Sequence, residues 1–118
     1  GEDEGKTDDR SRTISHLCDF VTANLDQSMS LTTLETVSGL SARVLQNEFQ
    51  KRFGCSPIQW IKQQRLSHAH DLLTTGAMNT TVADVAAVCG YSNFSEFSRQ
   101  YQERFGQLPS KTLKKSKN

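Results

Sequence analysis

Polar side chains at a repeated helical spacing are the feature of this sequence that could do chemistry. In segments 41–53 and 93–105 an apolar residue recurs every fourth position, which predicts two amphipathic helices. The apolar positions are Leu45, Phe49 and Phe53 in the first segment and Phe97, Tyr101 and Phe105 in the second. The residues turned away from them are polar in both segments: Arg43, Gln46, Asn47 and Gln50, then Ser95, Ser98, Arg99 and Gln102. Arginine can bind O6 and N7 of guanine, and asparagine or glutamine can bind N6 and N7 of adenine, so these faces suit the edges of bases. Any solvated helix also presents a polar face, but the same register in two segments favours base recognition.

Other kinds of site find little support in the sequence. His68 and His70 are two residues apart on a predicted helix, so they point to different faces and cannot share a metal ion. The three cysteines are odd in number and widely spaced, which predicts free thiols in a reducing, cytoplasmic compartment. The sequence has no glycine-rich phosphate loop and no stretch of apolar residues long enough to cross a membrane. We therefore expect no enzyme activity, no cofactor, no metal and no membrane partner.

The two polar segments belong to an internal repeat. Residues 30–54 resemble residues 81–106, with Gly39 aligned to Gly90 and, after one inserted residue, Phe53 to Phe105. Each copy is predicted to form a helix, a short turn containing glycine, and a longer second helix, which is the helix-turn-helix pattern. The predicted N-caps are Ser30 and Ser41 in the first copy, and Thr81 with Ser92 or Asn93 in the second.

The segments around the repeat predict how its copies are joined. Helical spacing continues over residues 57–75, with Pro57 suited to the first turn, which predicts a long linker helix between the copies. An amphipathic helix is expected from Ile14 onward, and a short helix over residues 110–115 within a basic C-terminal tail, 111–118. Residues 1–12 hold five carboxylates, three cations and no apolar residue, so we expect a disordered linker before a domain spanning 13–118. The formal net charge is only +1, but its distribution is uneven. Residues 1–12 have two more carboxylates than cations, so the globular part that follows is mildly basic behind an acidic leader.

Three segments give the sequence a family resemblance. GYSNFSEFSRQYQERFGQLPS (90–110) resembles the signature of the DNA-binding domain at the C-terminus of the AraC/XylS family of bacterial transcription regulators. SPIQWIKQQRLSHAHDLL (56–73) is similar to the linker helix of that family, and Ser41, Leu45 and Phe49 fit its first recognition helix. The resemblance covers about residues 13–113.

The resemblance implies an all-α fold of about seven helices, with two helix-turn-helix subdomains joined by the long linker helix. It implies double-stranded DNA as partner, with recognition helices 41–53 and 93–105 in successive major grooves, about 34 Å apart. The implied base-reading residues are Arg43, Gln46, Asn47, Ser95, Ser98 and Arg99. The implied phosphate contacts are the helix starts near Ser30 and Thr81, with Lys51, Arg52, Lys62 and Arg104 as looser candidates. It also implies contact with RNA polymerase, and a sensing and dimerisation domain upstream of residue 1.

Some positions depart from the family pattern. Asn47, Gln50 and Gln102 stand where the family often has Arg or Lys, which predicts weaker non-specific attraction to DNA. Glu35 replaces a usual alanine, and Leu113-Lys114 replaces a customary Tyr-Arg.

Two other classes of binding protein are alternatives to the DNA-binding interpretation. A helical protein-interaction module would need a contiguous exposed apolar patch, for which the sequence offers only Phe94 and Leu108. A general nucleoid binder would bind all sequences alike, against which the mixed polar faces argue.

Overall fold

The computed structural model describes residues 2–76 and 79–117, with side chains for 9–76 and 79–116. This part of the chain forms seven helices and no strand, which confirms the predicted all-α class. The helices are α1 (Glu2–Ala23), α2 (Leu31–Ser38), α3 (Ala42–Phe53), α4 (Pro57–Thr75), α5 (Val82–Val88), α6 (Phe94–Phe105) and α7 (Pro109–Lys117). The chain divides into two units. Unit 1 contains the chain up to Asn24 and Ser28–Ile61, and unit 2 contains Leu25–Gln27 and the chain from Lys62 onward.

Capping side chains set where the helices of unit 1 begin. The Ser30 hydroxyl accepts the Thr33 N–H, while the Thr33 hydroxyl accepts the Ser30 N–H, which completes a capping box at α2. The Ser41 hydroxyl accepts the Val44 N–H at the start of α3. Both helices then end at a glycine in the left-handed conformation, Gly39 and Gly54. The helix-turn-helix of unit 1 is therefore defined by local hydrogen bonds.

Unit 2 repeats this arrangement with one difference at its turn. Thr81 and Asn93 cap α5 and α6, so the open choice between Ser92 and Asn93 falls to Asn93. The C-cap of α5 is Cys89, and Gly90 follows it with φ +88°, so α5 ends one residue before the glycine predicted to end it. A Cβ at Gly90 would collide with the Arg65 guanidinium and the Leu25 carbonyl oxygen. Glycine is therefore needed at this turn both for its backbone angle and for the space.

Each unit buries its own apolar side chains. In unit 1, α1 packs on α2 and α2 on α3. Its buried residues are Ile14, Leu17, Val21, Leu34, Leu45, Phe49, Trp60 and Ile61. In unit 2, α5, α6 and α7 contact one another around a core that α4 completes. That core consists of Leu66, Ala69, Leu73, Val85, Ala86, Cys89, Phe97, Tyr101 and Leu113. Leu45, Phe49, Phe97 and Tyr101 thus face the two cores, as predicted. At the C-terminal ends of the same predicted stripes, Phe53 is 41% exposed and Phe105 is only partly buried, because each helix ends there at the edge of its core.

The chain ends differ from the sequence expectation. Residues 2–12, expected to be a disordered linker, form the first half of α1; Gly1 lies outside the described residues. Apolar residues are not required there, because a helix anchored by Ile14 and Leu17 gains a hydrogen bond with each added residue. Similarly, α7 extends through the basic tail to Lys117, and Thr112 and Leu113 are buried while the lysines at 111, 114 and 115 remain exposed.

Candidate nucleic-acid interface

The outward side of α3 in unit 1 carries four exposed polar residues. Because Leu45 and Phe49 are fully buried, the positions opposite them on the helix point to solvent. We call Arg43, Gln46, Asn47 and Gln50 the first outward face, and all four are exposed. They lie three and four residues apart, so they form one continuous strip along the helix.

The outward side of α6 in unit 2 repeats this register. Phe97 and Tyr101 are fully buried and define the inner side. We call Ser95, Ser98, Arg99 and Gln102 the second outward face; Ser98 is half-buried and the other three are exposed. The sequence prediction of two solvent-facing polar strips therefore agrees with both units, with Ser98 the least accessible member.

The charged residues beside the first outward face surround a single carboxylate. Glu48 is only 12% exposed, and its oxygens lie 3.5 Å from Arg52 Nε and 4.0 Å from Lys51 Nζ. Arg10 of α1 reaches the same carboxylate, with its Nη1 3.7 Å away. Lys51, predicted as a phosphate contact, thus lies next to the first outward face. Arg52, predicted for the same role, lies on the side of α3 that carries Leu45, and its side chain is only 27% exposed. Arg10 was not predicted, since its position depends on the helical form of residues 2–12.

The second outward face has its arginine in an ion pair. Arg99 Nη1 donates a hydrogen bond to Glu103 Oε1 at 3.2 Å, one helical turn away, and both side chains are more than half exposed. Arg104 places its guanidinium 5.7 Å from the centre of the Phe105 ring. The sequence alone could have suggested the Arg99–Glu103 pair from its four-residue spacing.

The remaining phosphate candidates lie at helix starts and on α4. Ser30 and Thr81 are exposed, but their hydroxyl groups are already engaged as caps, so any phosphate contact there would use backbone N–H groups. Lys62 is half-buried on the part of α4 that belongs to unit 2.

Arg65 fixes the turn that precedes α6. Its Nη1 donates to the Gly90 carbonyl oxygen at 2.8 Å, and its Nη2 donates to the Gln27 carbonyl oxygen at 2.9 Å. The planar guanidinium thus joins two loops that are far apart in sequence. An arginine at an apolar-spaced position of the linker helix was the only sign of this role in the sequence.

A polar network ties α6 to α4 and α7 inside unit 2. The Tyr101 hydroxyl donates to Thr112 Oγ1 at 3.0 Å and lies 3.0 Å from His70 Nδ1. Gln107 Nε2 also donates to Thr112 Oγ1, at 2.8 Å. Since the tyrosine proton goes to Thr112, the His70 nitrogen acts as the donor to Tyr101. The network fixes the inner side of α6, and therefore the direction of its outward face.

Burial raises the pKa values of one thiol and one phenol in unit 2. Burial raises the pKa of Cys89 to about 11 and that of Tyr91 to about 12. Both groups therefore stay protonated at neutral pH, and the Tyr91 hydroxyl donates to Gln100 Oε1 at 2.7 Å. All three cysteines are free, Cys89 buried and Cys18 and Cys55 half-buried.

The described residues hold neither a grouped set of metal ligands nor a helix suited to a membrane. Among residues 9–76 and 79–116 no three His, Cys, Asp or Glu side chains are grouped so as to hold a metal ion. None of the helices in that part of the chain combines the length and apolar character needed to cross a bilayer.

Comparison with known proteins identifies the family. A family model described as "Helix-turn-helix domain" matches residues 34–115. The crystal structure of a probable AraC family transcriptional regulator from Rhodopseudomonas palustris superposes with a TM-score of 0.76 at 36% identity, covering 89% of this chain and 97% of that one. The chain belongs to the AraC/XylS family of transcription regulators. It is a helix-turn-helix DNA-binding domain of the AraC type, as the sequence resemblance predicted.

Other members of the AraC/XylS family show how much of a regulator this domain represents. The virulence regulon transcriptional activator VirF of Yersinia enterocolitica is 32% identical over 100 residues, which are 85% of this chain and 36% of VirF. The domain thus spans about a third of the length of curated relatives of this kind. The DNA-binding domain of AdpA, solved in complex with a target DNA, has the same fold at 23% identity, with a TM-score of 0.79 covering 86% of this chain and 89% of that one.

Proposed function

We propose that this AraC-type domain binds double-stranded DNA sequence-specifically, with α3 and α6 each reading one of two adjacent major grooves. The observation that carries the proposal is the matching register of the first and second outward faces, which both units present to solvent on a capped helix. An α-helix fits the major groove, and the major groove distinguishes all four base pairs. Two different polar faces would read two different half-sites, so a monomer would recognise a bipartite site without a palindrome.

The side-chain types assign the base contacts. Arg43, Gln46 and Asn47 read one half-site, and Ser95, Ser98 and Arg99 read the other. An arginine at each end of this set favours guanine, and the amides of the first face favour adenine. The serines of the second face bond either kind of base, so the second half-site is expected to depend mainly on Arg99.

Phosphate contacts supply affinity around these base contacts. Lys51 extends the first outward face with an exposed cation, and Arg52, partly exposed beside Glu48, is a second candidate. Arg104 and Lys62 have the corresponding role in unit 2, and the helix starts at Ser30 and Thr81 offer backbone N–H groups. These contacts carry no base preference, so they act equally on every sequence.

The domain is proposed to act within a longer bacterial regulator in the cytoplasm, at the nucleoid. The segment that matches this chain makes up only 36% and 31% of two curated relatives, which leaves room for a sensing and dimerisation domain. Activation by contact with RNA polymerase remains a proposal for the whole protein. Phe94 and Leu108 are each about half exposed, so apolar contact points are present.

Selection of bound duplexes from a random pool tests the proposal. We expect a two-part motif with half-site centres about 10 bp apart. Recovery without base preference, or with one half-site only, would contradict two-groove reading. Lys51→Gln should weaken binding to all duplexes alike and lower the slope of log K against log salt by about 0.9, whereas an unchanged slope removes Lys51 from the phosphate contacts.

A further inference from the structure

Three cations of unit 1 surround one carboxylate. Arg10, Lys51 and Arg52 all lie within 4.0 Å of Glu48, the carboxylate that they share among the described ion pairs. These four side chains carry two more positive charges than negative charges, which favours an anion beside them.

Arg10 and Lys51 form the open side of this cluster. Both approach the same oxygen, Glu48 Oε1, at 3.7 and 4.0 Å, which is longer than a charge-assisted hydrogen bond. Their side chains remain 47% and 75% exposed. Because both nitrogens lie close to one oxygen atom, they are less than about 8 Å apart. One phosphate group with two non-bridging oxygens can bridge two donors at such a separation.

The space between these two cations opens on the first outward face. An open cleft of about 340 Å³ separates the N-terminal half of α1 from α3. Its lining is Arg10, Val44, Asn47, Glu48, Gln50 and Lys51. Asn47 and Gln50 belong to the first outward face, so an anion in the cleft would lie beside the groups proposed to contact bases.

We propose that Arg10, together with Lys51, holds a phosphodiester of the bound duplex at the edge of the groove read by α3. The proposal rests on the proposed DNA recognition and adds a contact from α1, outside both helix-turn-helix pairs. Guanidinium and ammonium groups pair strongly with phosphate oxygens, and the guanidinium can do so through two parallel hydrogen bonds. The long ion pairs with Glu48 keep both cations near this position and leave their nitrogen atoms able to bind a phosphate oxygen.

The salt dependence of binding to the selected duplex tests this contact. Arg10→Gln should lower the slope of log K against log salt by about 0.9, so between 50 and 200 mM salt the variant loses about 3.5-fold less affinity than the wild type. Arg10→Lys, which keeps the charge, should retain the wild-type slope. Arg12→Gln is the matched control: it makes the same charge change two residues along α1, on a different face, and should leave the slope unchanged.

Glu48→Gln separates a phosphate contact from a merely structural ion pair. Removing the carboxylate frees the cations, so affinity at low salt should rise, and Arg10→Gln should still lower the slope in this background. If Arg10 only pairs with Glu48, the two substitutions will reduce thermal stability and leave the slope as it is. That result, or an equal slope loss in Arg12→Gln, would overturn the proposal.

Neutralising single phosphates locates the contact on the duplex. With methylphosphonate at one linkage flanking the first half-site, wild-type affinity should fall while that of Arg10→Gln stays unchanged. No such linkage, or tighter binding by Arg10→Gln than by wild type, would contradict the assignment. Failure of the Arg10 contact can be told apart from failure of the proposed function. Base preference in the selected pool is measured independently of the salt-dependence slopes.

Discussion

Helices α3 and α6 share one backbone pattern but distribute charge differently. At matching positions, Lys51 of α3 corresponds to Glu103 of α6, and Asn47 corresponds to Arg99. Helix α3 therefore carries three cations and one carboxylate, whereas α6 carries two of each. Lys51 and Arg52 share the Glu48 carboxylate, while Arg99 of the second outward face pairs with Glu103. The two helices thus place different charges beside their outward faces.

The buried aromatic residues that anchor α3 and α6 also differ. Phe49 lies with Phe53 and Trp60 in an aromatic cluster, with ring centres 5.3 and 5.7 Å away. Tyr101, at the matching position of α6, adds hydroxyl hydrogen bonding with Thr112 and His70. Both residues pack against neighbouring rings, and Tyr101 adds hydrogen bonds to α4 and α7.

Truncating the two matched core residues should give the largest effects. Phe49→Ala and Tyr101→Ala should each lower the free energy of unfolding by about 3–5 kcal/mol, because each opens a cavity in a packed core. Tyr101→Ala should cost more, since it also removes the hydrogen bonds of Tyr101 with His70 and Thr112. Urea denaturation followed by circular dichroism measures both. Gln50→Ala, on the exposed face, serves as the control and should change stability by less than about 0.5 kcal/mol; a similarly small loss at Phe49 would show that unit 1 does not depend on its aromatic cluster.

The next largest effect is expected at the one arginine of the second outward face. Arg99→Ala should cost about 1–3 kcal/mol of binding free energy on the selected site and relax the preference at one base pair. Asn47→Ala, at the matching position of α3, should relax a different base pair in the other half-site. Titration of duplexes with single base changes measures both. An equal loss on every duplex would mean that Arg99 contacts the backbone, and the contrast between units would fail.

Exchanging the matched aromatic residues should give an intermediate effect. Tyr101→Phe removes two hydrogen bonds of the network and should lower the free energy of unfolding by about 1 kcal/mol. The reciprocal Phe49→Tyr buries a hydroxyl beside the Phe53 and Trp60 rings and should also destabilise, by about 1–3 kcal/mol. Thermal unfolding of both single variants tests the exchange. If Tyr101→Phe is neutral, the network does not stabilise unit 2, and hydrogen bonding is not what distinguishes the units.

Much of the fold could be predicted from the sequence because its determinants are local. The four-residue spacing of Leu45 and Phe49 fixes the inner side of α3, and Ser41 fixes its start by one hydrogen bond. The helical N-terminal half of α1 could not be predicted, because it lacks apolar residues and depends on the anchored half that follows. Similarly, lysine content indicated a tail, whereas burial of Thr112 and Leu113 makes residues 109–117 a packed helix.

The candidate site divides in the same way. The outward faces follow from the cores, since they are simply the opposite sides of the same helices. Arg10 and Arg65 could not be found in this way, because their roles depend on residues 38 and 25 positions away, Glu48 and Gly90. Such proximity is a property of the packed chain, so periodicity in the sequence does not reveal it.

Removing the carboxylate that pairs with Arg99 of the second outward face should give the smallest effect and the sharpest test of the difference in charge between α3 and α6. The Arg99–Glu103 pair is exposed, so Glu103→Gln should change the free energy of unfolding by less than about 0.5 kcal/mol. DNA affinity should rise by less than about 1 kcal/mol at low salt and return to the wild-type value at high salt, because a repulsive charge near phosphate is screened. Glu103→Lys gives α6 a lysine at the position that matches Lys51 of α3, so it should also strengthen binding to unrelated duplexes. Fluorescence anisotropy at two salt concentrations measures both variants. If neither substitution alters binding, Glu103 does not face the duplex, and the difference in charge between α3 and α6 has no part in recognition.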